Sequence, residues 1–361
     1  MASFRSLFSG KRNELVGLDI SSSSVKLIEL SRRAGQYVVE AFAIEPLPAD
    51  AVVDNQIVEP EAVAAVIRRV VGRAGTRTRN VAVAVAGSSV ITKQISMPAG
   101  LRPQDLEDQI KAEADQYIPY PINEVNLDFQ VFGENATDNT SVNVMLAACR
   151  KVQVESRVAA VEIAGLIAKV VDIEAYALEN ACQLLTAQIP GGGHDATVAL
   201  VDVGATTTAM LVLKNLQIVY TREQAFGGKQ LTHEVMRQYG MSFAEAGRAK
   251  RFGELPEDYE SGLLAHFVDD MAQQVDRSLQ FFYASPGRHE QISQLILVGG
   301  CAQIVGVAEA IQQRLEIPTI IAHPFASMSV AQRVRPQQLA REEASLLIAT
   351  GLALRAFDEV E

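Results

Sequence analysis

Val16-Gly17-Leu18-Asp19-Ile20-Ser21-Ser22-Ser23-Ser24-Val25-Lys26 reads as a strand end that carries a carboxylate into a tight turn of hydroxyls, with a second strand beyond it. Apolar and β-branched runs bounded by turn formers predict strands over 14–20 and 25–30. Arg33-Ala34-Gly35 then turns the chain into a third strand over 37–44. The same text recurs in the second half. A strand over 197–203 carries Asp202, Gly204-Ala205-Thr206-Thr207 makes a small-residue turn, and strands over 208–213 and 217–222 follow. Two copies of this pattern predict a duplicated two-domain α/β protein, since a solenoid needs at least three repeats.

The rest of the chain fits around the two copies. Pro60 opens an amphipathic helix that ends by Gly75, and a fourth strand covers 80–86. From Ser88 the texture changes. A strand over 90–96, a helix over 103–118 broken by Pro119 and Pro121, a strictly alternating strand (Val125, Leu127, Phe129, Val131) and a return strand over 142–148 read as a small α+β insertion. A helix over 152–166, a strand over 168–173 and a helix over 174–187 lead to the linker Pro190-Gly191-Gly192-Gly193. After the second copy come helices over 228–239, 244–252 and 263–282, a strand over 294–298, a helix from Gln303 and a final one over 342–355. The expected division is a basic tail at 1–13, a first half at 14–87 plus 150–190, an insert at 88–149 and a second half at 191–361. The last helix is expected to pack back at the junction.

Composition removes several classes. A formal charge of −11 and 6% aromatics without tryptophan count against nucleic-acid binding. Cys149, Cys182 and Cys301 lie far apart with no CxxC pair, so a zinc site or disulfide framework is not expected. The most apolar late stretch, 344–354, is about half the ~20 residues of a membrane span. The first residues lack the apolar run of a signal peptide.

The hydroxyl-rich turns expose backbone N–H groups that can cradle phosphate oxygens. Asp19 and Asp202, at matching strand ends, are suited to hold Mg²⁺ through water. Leu297-Val298-Gly299-Gly300-Cys301-Ala302 adds a glycine turn that lets backbone approach a ligand closely.

In this order the three elements resemble the phosphate-1, phosphate-2 and adenosine motifs of the actin-like ATPase fold. The likeness covers nearly the whole chain, with 170–175 at the first connecting motif and 346–352 at the second. Only residues 45–59 separate the third strand from the next helix, too few for the actin-type subdomain 1B. The insertion instead follows the fourth strand, as in FtsA (subdomain 1C). Ser96-Met97-Pro98, Glu113-Ala114-Asp115-Gln116-Tyr117-Ile118-Pro119-Tyr120-Pro121 and Ala244-Glu245-Ala246-Gly247-Arg248-Ala249-Lys250 are similar to the PilM family of type IV pilus inner-membrane assembly platforms.

The resemblance implies ATP and Mg in an interdomain cleft. Asp19, Ser22, Ser23 and Lys26 match phosphate 1. Asp202, Gly204, Thr206 and Thr207 match phosphate 2, and Gly299, Gly300 and Cys301 match the adenosine loop. Gly227, Gly228 and Lys229 fall where relatives approach the nucleotide, Glu245 and Lys250 on the adenine-side helix, and Glu174 where a water-orienting residue belongs. It also implies a cytoplasmic adaptor, peripheral at the inner membrane of a Gram-negative-type bacterium, serving pilus biogenesis and twitching motility. Its partner would be the N-terminal cytoplasmic segment of a PilN-like membrane protein, with pilus motor ATPases and self-association as further contacts. Met97, Tyr117, Ile118 and Pro119 are the expected groove residues, and ATP turnover is expected to be weak or absent. Three alternatives share the fold. A small-molecule kinase would need a base aimed at a substrate hydroxyl. A filament-forming division protein would carry a terminal amphipathic helix. A type II secretion platform domain is usually fused to a membrane helix.

Overall fold

The computed structural model describes residues 15–135, 138–286 and 290–358; the expected tail at 1–13 lies outside them. In the first half, β1 (Val16–Ile20), β2 (Ser24–Arg33) and β3 (Gln36–Pro46) form an antiparallel meander. The short hairpin β4 (Val52–Val53) and β5 (Gln56–Ile57) follows. Helix α1 (Pro60–Ala74) has Pro60 at its start and stops at Gly75, whose φ of 66° is the left-handed cap. Then comes β6 (Asn80–Val85), parallel to β1.

An inserted unit follows. β7 (Val90–Pro98), α2 (Pro103–Ala114), β8 (Val125–Asn135) and β9 (Asp138–Arg150) form a three-stranded antiparallel sheet, order β7-β9-β8, with one covering helix. Leu106, Ile110 and Ala114 of α2 close its core against Ile95, Val144 and Leu146. The helix ends at Ala114 and the next residues only turn, so it is shorter than the expected 103–118. Then α3 (Lys151–Ile163), β10 (Ile167–Ile173), parallel to β6, and α4 (Glu174–Cys182) return the chain.

The second half repeats the plan. β11 (Thr197–Val203), β12 (Thr208–Lys214) and β13 (Gln217–Gln224) form the meander. After α5 (Gly228–Tyr239), α6 (Phe243–Phe252) and α7 (Ala265–Ala284), strand β14 (Gln294–Val298) lies parallel to β11. Next come α8 (Val307–Leu315), β15 (Thr319–Ile321), β16 (Ser329–Val330), α9 (Pro336–Glu342) and α10 (Leu347–Leu354). The sheet orders are β10-β6-β1-β2-β3-β16 and β13-β12-β11-β14-β15. Apart from β16, each sheet is a meander extended by two parallel strands, in the same order. This is the duplicated α/β architecture of the actin-like ATPase fold.

Several sequence expectations need correcting. The helix expected from Gln303 begins at Val307, because Gly306 (φ 86°) turns the chain there. The expected helix over 342–355 is broken. The carbonyl of Ala344 accepts from the N–H of Gly299 at 2.9 Å instead of a helical partner, so a 3₁₀ turn (Glu343–Leu346) separates α9 from α10. Sequence reading passes over β4, β5, β15, β16 and α9, all seven residues or shorter.

The halves are joined by an exchange of helices. Leu178, Ala181 and Leu185, at and just beyond the end of the first half's α4, pack under the second sheet beside Val198, Leu200 and Leu211. Leu346, Ala349, Ala353 and Leu354 pack under the first sheet with Ile28, Leu30 and Val39. The crossing is so close that a Cβ on Gly351 would lie 1.7 Å from the Ala177 carbonyl oxygen. One on Gly17 of β1 would lie 1.8 Å from that of Ala349.

Candidate functional site

Both sheets deliver an aspartate to the same place, the penultimate residue of their first strand: Asp19 in β1 and Asp202 in β11. The turn after β1 is held by Ser21, whose N–H and hydroxyl both donate to the Ser24 carbonyl at 3.0 Å. The turn after β11 is held by Gly204 N–H to the Thr207 carbonyl at 2.9 Å. The two turns face each other, since the Thr206 hydroxyl donates to the Ser22 hydroxyl at 3.0 Å across the junction.

Lys26, opposite Asp19 in the β1–β2 register, donates to its Oδ2 at 2.7 Å, and both are largely buried. Burial works against the Lys26 charge. Asp19, helped by Asp202 and Glu174, outweighs it and holds the ammonium above the ordinary lysine range.

The third element closes on the second. Cys301 N–H donates to the Val203 carbonyl at 3.1 Å, and its buried thiol lies 3.4 Å from the Gly204 carbonyl. Gly299 has φ 90°, and a side chain there would meet Asp202 Oδ1 at 2.2 Å, so only glycine lets this loop pass the carboxylate. Gly300 next to it is exposed. Gly227 opens α5; the N–H groups of Gly228 and Lys229 donate to the Gly204 and Ala205 carbonyls at 3.0 and 2.7 Å. Thus the phosphate-type turns, the glycine loop and the start of α5 form one cluster, as the sequence implied.

The adenine-side candidates divide. Lys250 reaches this cluster, donating to the Gly228 carbonyl at 3.2 Å and the Thr232 hydroxyl at 2.6 Å; burial lowers its pKa. Glu245 instead caps its own helix, exchanging hydrogen bonds with Ser242 at the exposed start of α6.

Acidic groups outnumber the cations here. Burial, with Asp19 adding, pushes Glu174 at the start of α4 up to about 8, against the pull of Arg157. Burial likewise pushes Asp202 up to about 6, relieved by Lys26 and worsened by Asp19 and Glu223. Between roughly pH 4.5 and 8 the folded protein therefore holds a proton on Glu174 that the unfolded chain releases, so stability falls as pH rises through that window. Glu174→Gln is expected to flatten this slope and stabilise the ligand-free protein by ~2 kcal/mol at pH 8. Denaturation series at pH 5 and pH 8 test it; an unchanged slope contradicts the crowding of charge.

Sequence reading missed three residues of this region. Glu223 accepts from Ser88 N–H at 3.0 Å, Asp50 pairs with Lys229 at 3.6 Å, and Arg157 lies under the β4–β5 turn. Only Arg157 carries a legible signal: in α3 it shares the face of Val154 and Val161, where a charge is out of place.

A second concavity, of about 1060 Å³, lies between β8 and β9 of the inserted sheet and β10. Leu127, Phe129, Met145, Val171 and Ile173 line it, with Lys169 among them. Both β8 and β10 end their sheets. None of the four expected groove residues lines it. Met97 and Ile118 are core residues of the inserted unit, 1% and 5% exposed, closed off behind α2; only Tyr117 and Pro119 face solvent.

The sequence model for "Type IV pilus assembly protein PilM" matches residues 17–357. Among solved structures, a "PilM-PilN type IV pilus biogenesis complex" is similar at 27% identity and TM-score 0.80, covering 96% of this chain and all of that one. The ethanolamine utilization protein EutJ from Carboxydothermus hydrogenoformans is similar at 17% identity and TM-score 0.53, covering 94% of this chain and 88% of its own; it speaks for the fold alone.

Proposed function

Because the chain belongs to the type IV pilus assembly protein PilM family, we propose that it is a nucleotide-binding adaptor of pilus biogenesis, docking the N-terminal cytoplasmic segment of a PilN-like membrane protein. The observation that carries the docking reading is the cavity between β10 and the inserted sheet. It is lined by both apolar and charged side chains and bounded by two edge strands, each able to receive an extended peptide by main-chain hydrogen bonding. Among the described residues no helix is long and apolar enough to cross a membrane. On this reading the PilN-like partner supplies the membrane placement.

On this reading Mg·ATP would bind at the cluster that joins the two halves. Asp202 and Glu174 sit where positive charge is short, as their raised values indicate. Asp19 and Asp202 would hold Mg²⁺ through water, since Mg²⁺ keeps most of its hydration shell. Ser22, Ser23, Thr206, Thr207 and the start of α5 would receive the phosphates, with Lys26 beside them, and Gly299–Cys301 would pass the nucleoside. Mg²⁺ would neutralise part of the phosphate charge there, with Asp19 and Asp202 as the residues that would hold it. Glu174 would stand at the start of α4 beside the phosphates, and turnover is expected to be slow or absent. The nucleotide then acts as a ligand that favours the closed arrangement, by its differential affinity for it.

Co-purification tests the docking. Removing the first dozen residues of the PilN-like partner should abolish its recovery with this protein. Undiminished recovery would place the contact elsewhere and sink the reading.

A further inference from the structure

The cleft and the cavity share a wall, built by α3 and the end of β10. Val154 of α3 lines the cavity, and Arg157, one turn on along the same face, is 1% exposed. Its Nη1 donates to the Gln153 carbonyl at 3.3 Å and its Nη2 to the Asn55 carbonyl at 3.0 Å. Its Nε has no acceptor, and among the described residues no carboxylate pairs with it. A buried guanidinium without a counter-ion is unfavourable and needs a reason to be there. Groups of both sites lie near it: Asp19 and Glu174 on the cleft side, and the Cys149 thiol, which lines the cavity.

What Arg157 holds is a strap, residues 50–57. Asn55 sits at the turn between β4 and β5 with φ 61°, beside Asp54 at 47°, a pair of left-handed residues that suits a tight hairpin. From this strap the Asn55 side chain donates to the Ser88 hydroxyl at 3.3 Å, and Asp50 pairs with Lys229 of the second half. Ser88 also donates its N–H to Glu223 of β13. Two residues on, Val90 begins β7 and lines the cavity. The strap and the root of the inserted sheet therefore both touch the second half, and Arg157 anchors the strap from below.

We propose that Arg157 is the positioning residue that couples the two sites, so that closure of the halves on Mg·ATP fixes the strap and the root of the inserted sheet and tightens the grip of the cavity on its peptide. This rests on the nucleotide and peptide sites proposed above. Linkage makes the effect reciprocal: the peptide tightens nucleotide binding by the same factor.

The test is calorimetric titration of the full chain with a PilN-like N-terminal peptide, with and without Mg·ATP, in the wild type, Arg157→Met, Arg157→Lys and Glu223→Ala. The wild type is expected to bind the peptide about tenfold more tightly with Mg·ATP. Arg157→Met and Glu223→Ala should keep the nucleotide-free peptide affinity and lose that difference, and Arg157→Lys should restore part of it. Should Arg157→Met fail to fold, the half-buried Glu223 still decides. The same nucleotide dependence in wild type and Glu223→Ala overturns the coupling, as does a wild type that binds both ligands independently. A wild type that binds neither ligand overturns the functional reading itself, and the coupling with it.

Discussion

Replacing Gly351 by alanine is expected to destabilise the protein by about 3 kcal/mol, the upper end for overpacking a core, or to prevent folding altogether. The new methyl would lie 1.7 Å from the Ala177 carbonyl oxygen and 2.5 Å from its carbon, and α4 cannot yield at backbone without leaving the second sheet. The effect should be global, because α4 and α10 are the helices by which each half packs beneath the other's sheet. Gly72 is the control. It lies in α1 with open space around its Cβ position, so Gly72→Ala should stabilise by ~1 kcal/mol through helix propensity alone. Denaturant titration of both variants measures the contrast. If Gly351→Ala unfolds with the midpoint of the wild type, the helix crossing is not as close as described.

Lys26→Met is expected to cost about 3–5 kcal/mol of stability, since it strands the Asp19 carboxylate in a buried place. It should also abolish Mg·ATP binding. The double variant Asp19→Asn/Lys26→Met separates the two effects: an uncharged pair of similar size should recover most of the stability and none of the nucleotide affinity. Recovery of both would mean that the pair is only a structural brace. Loss of stability in the double variant as large as in the single would mean that packing at the turn, not charge, is what Lys26 supplies.

The fold was legible where the sequence repeats itself. The strands on either side of Asp19 and Asp202 have tight turns and strong apolar patterning, and they lie where expected, the strands after each turn running slightly longer. Both aspartates, the glycines at 299 and 300 and the hydroxyl turns assemble into one cluster because each follows directly from a strand end, whose position the sheet determines. What was not legible depends on contacts between distant segments. The split between α9 and α10 exists because Gly299 takes the Ala344 carbonyl, and no local signal marks it. Met97 and Ile118, named with Tyr117 and Pro119 as groove residues, are core residues of the inserted unit, where α2 covers the sheet. The cavity beside β10 takes consecutive residues of two strands, 126–130 in β8 and 169–173 in β10, and only the meeting of the two sheets brings them together. Glu223 and Asp50 matter only because the halves close on each other.

The most direct measurement of the central claim is calorimetric titration of the wild-type protein with a PilN-like N-terminal peptide in Mg·ATP, repeated on a variant with Val171→Glu in the exposed wall of β10. Saturable binding to the wild type at one site, lost in the variant while its unfolding midpoint is kept, is the predicted result. No binding by a correctly folded wild type, or equal binding by both proteins, contradicts the account.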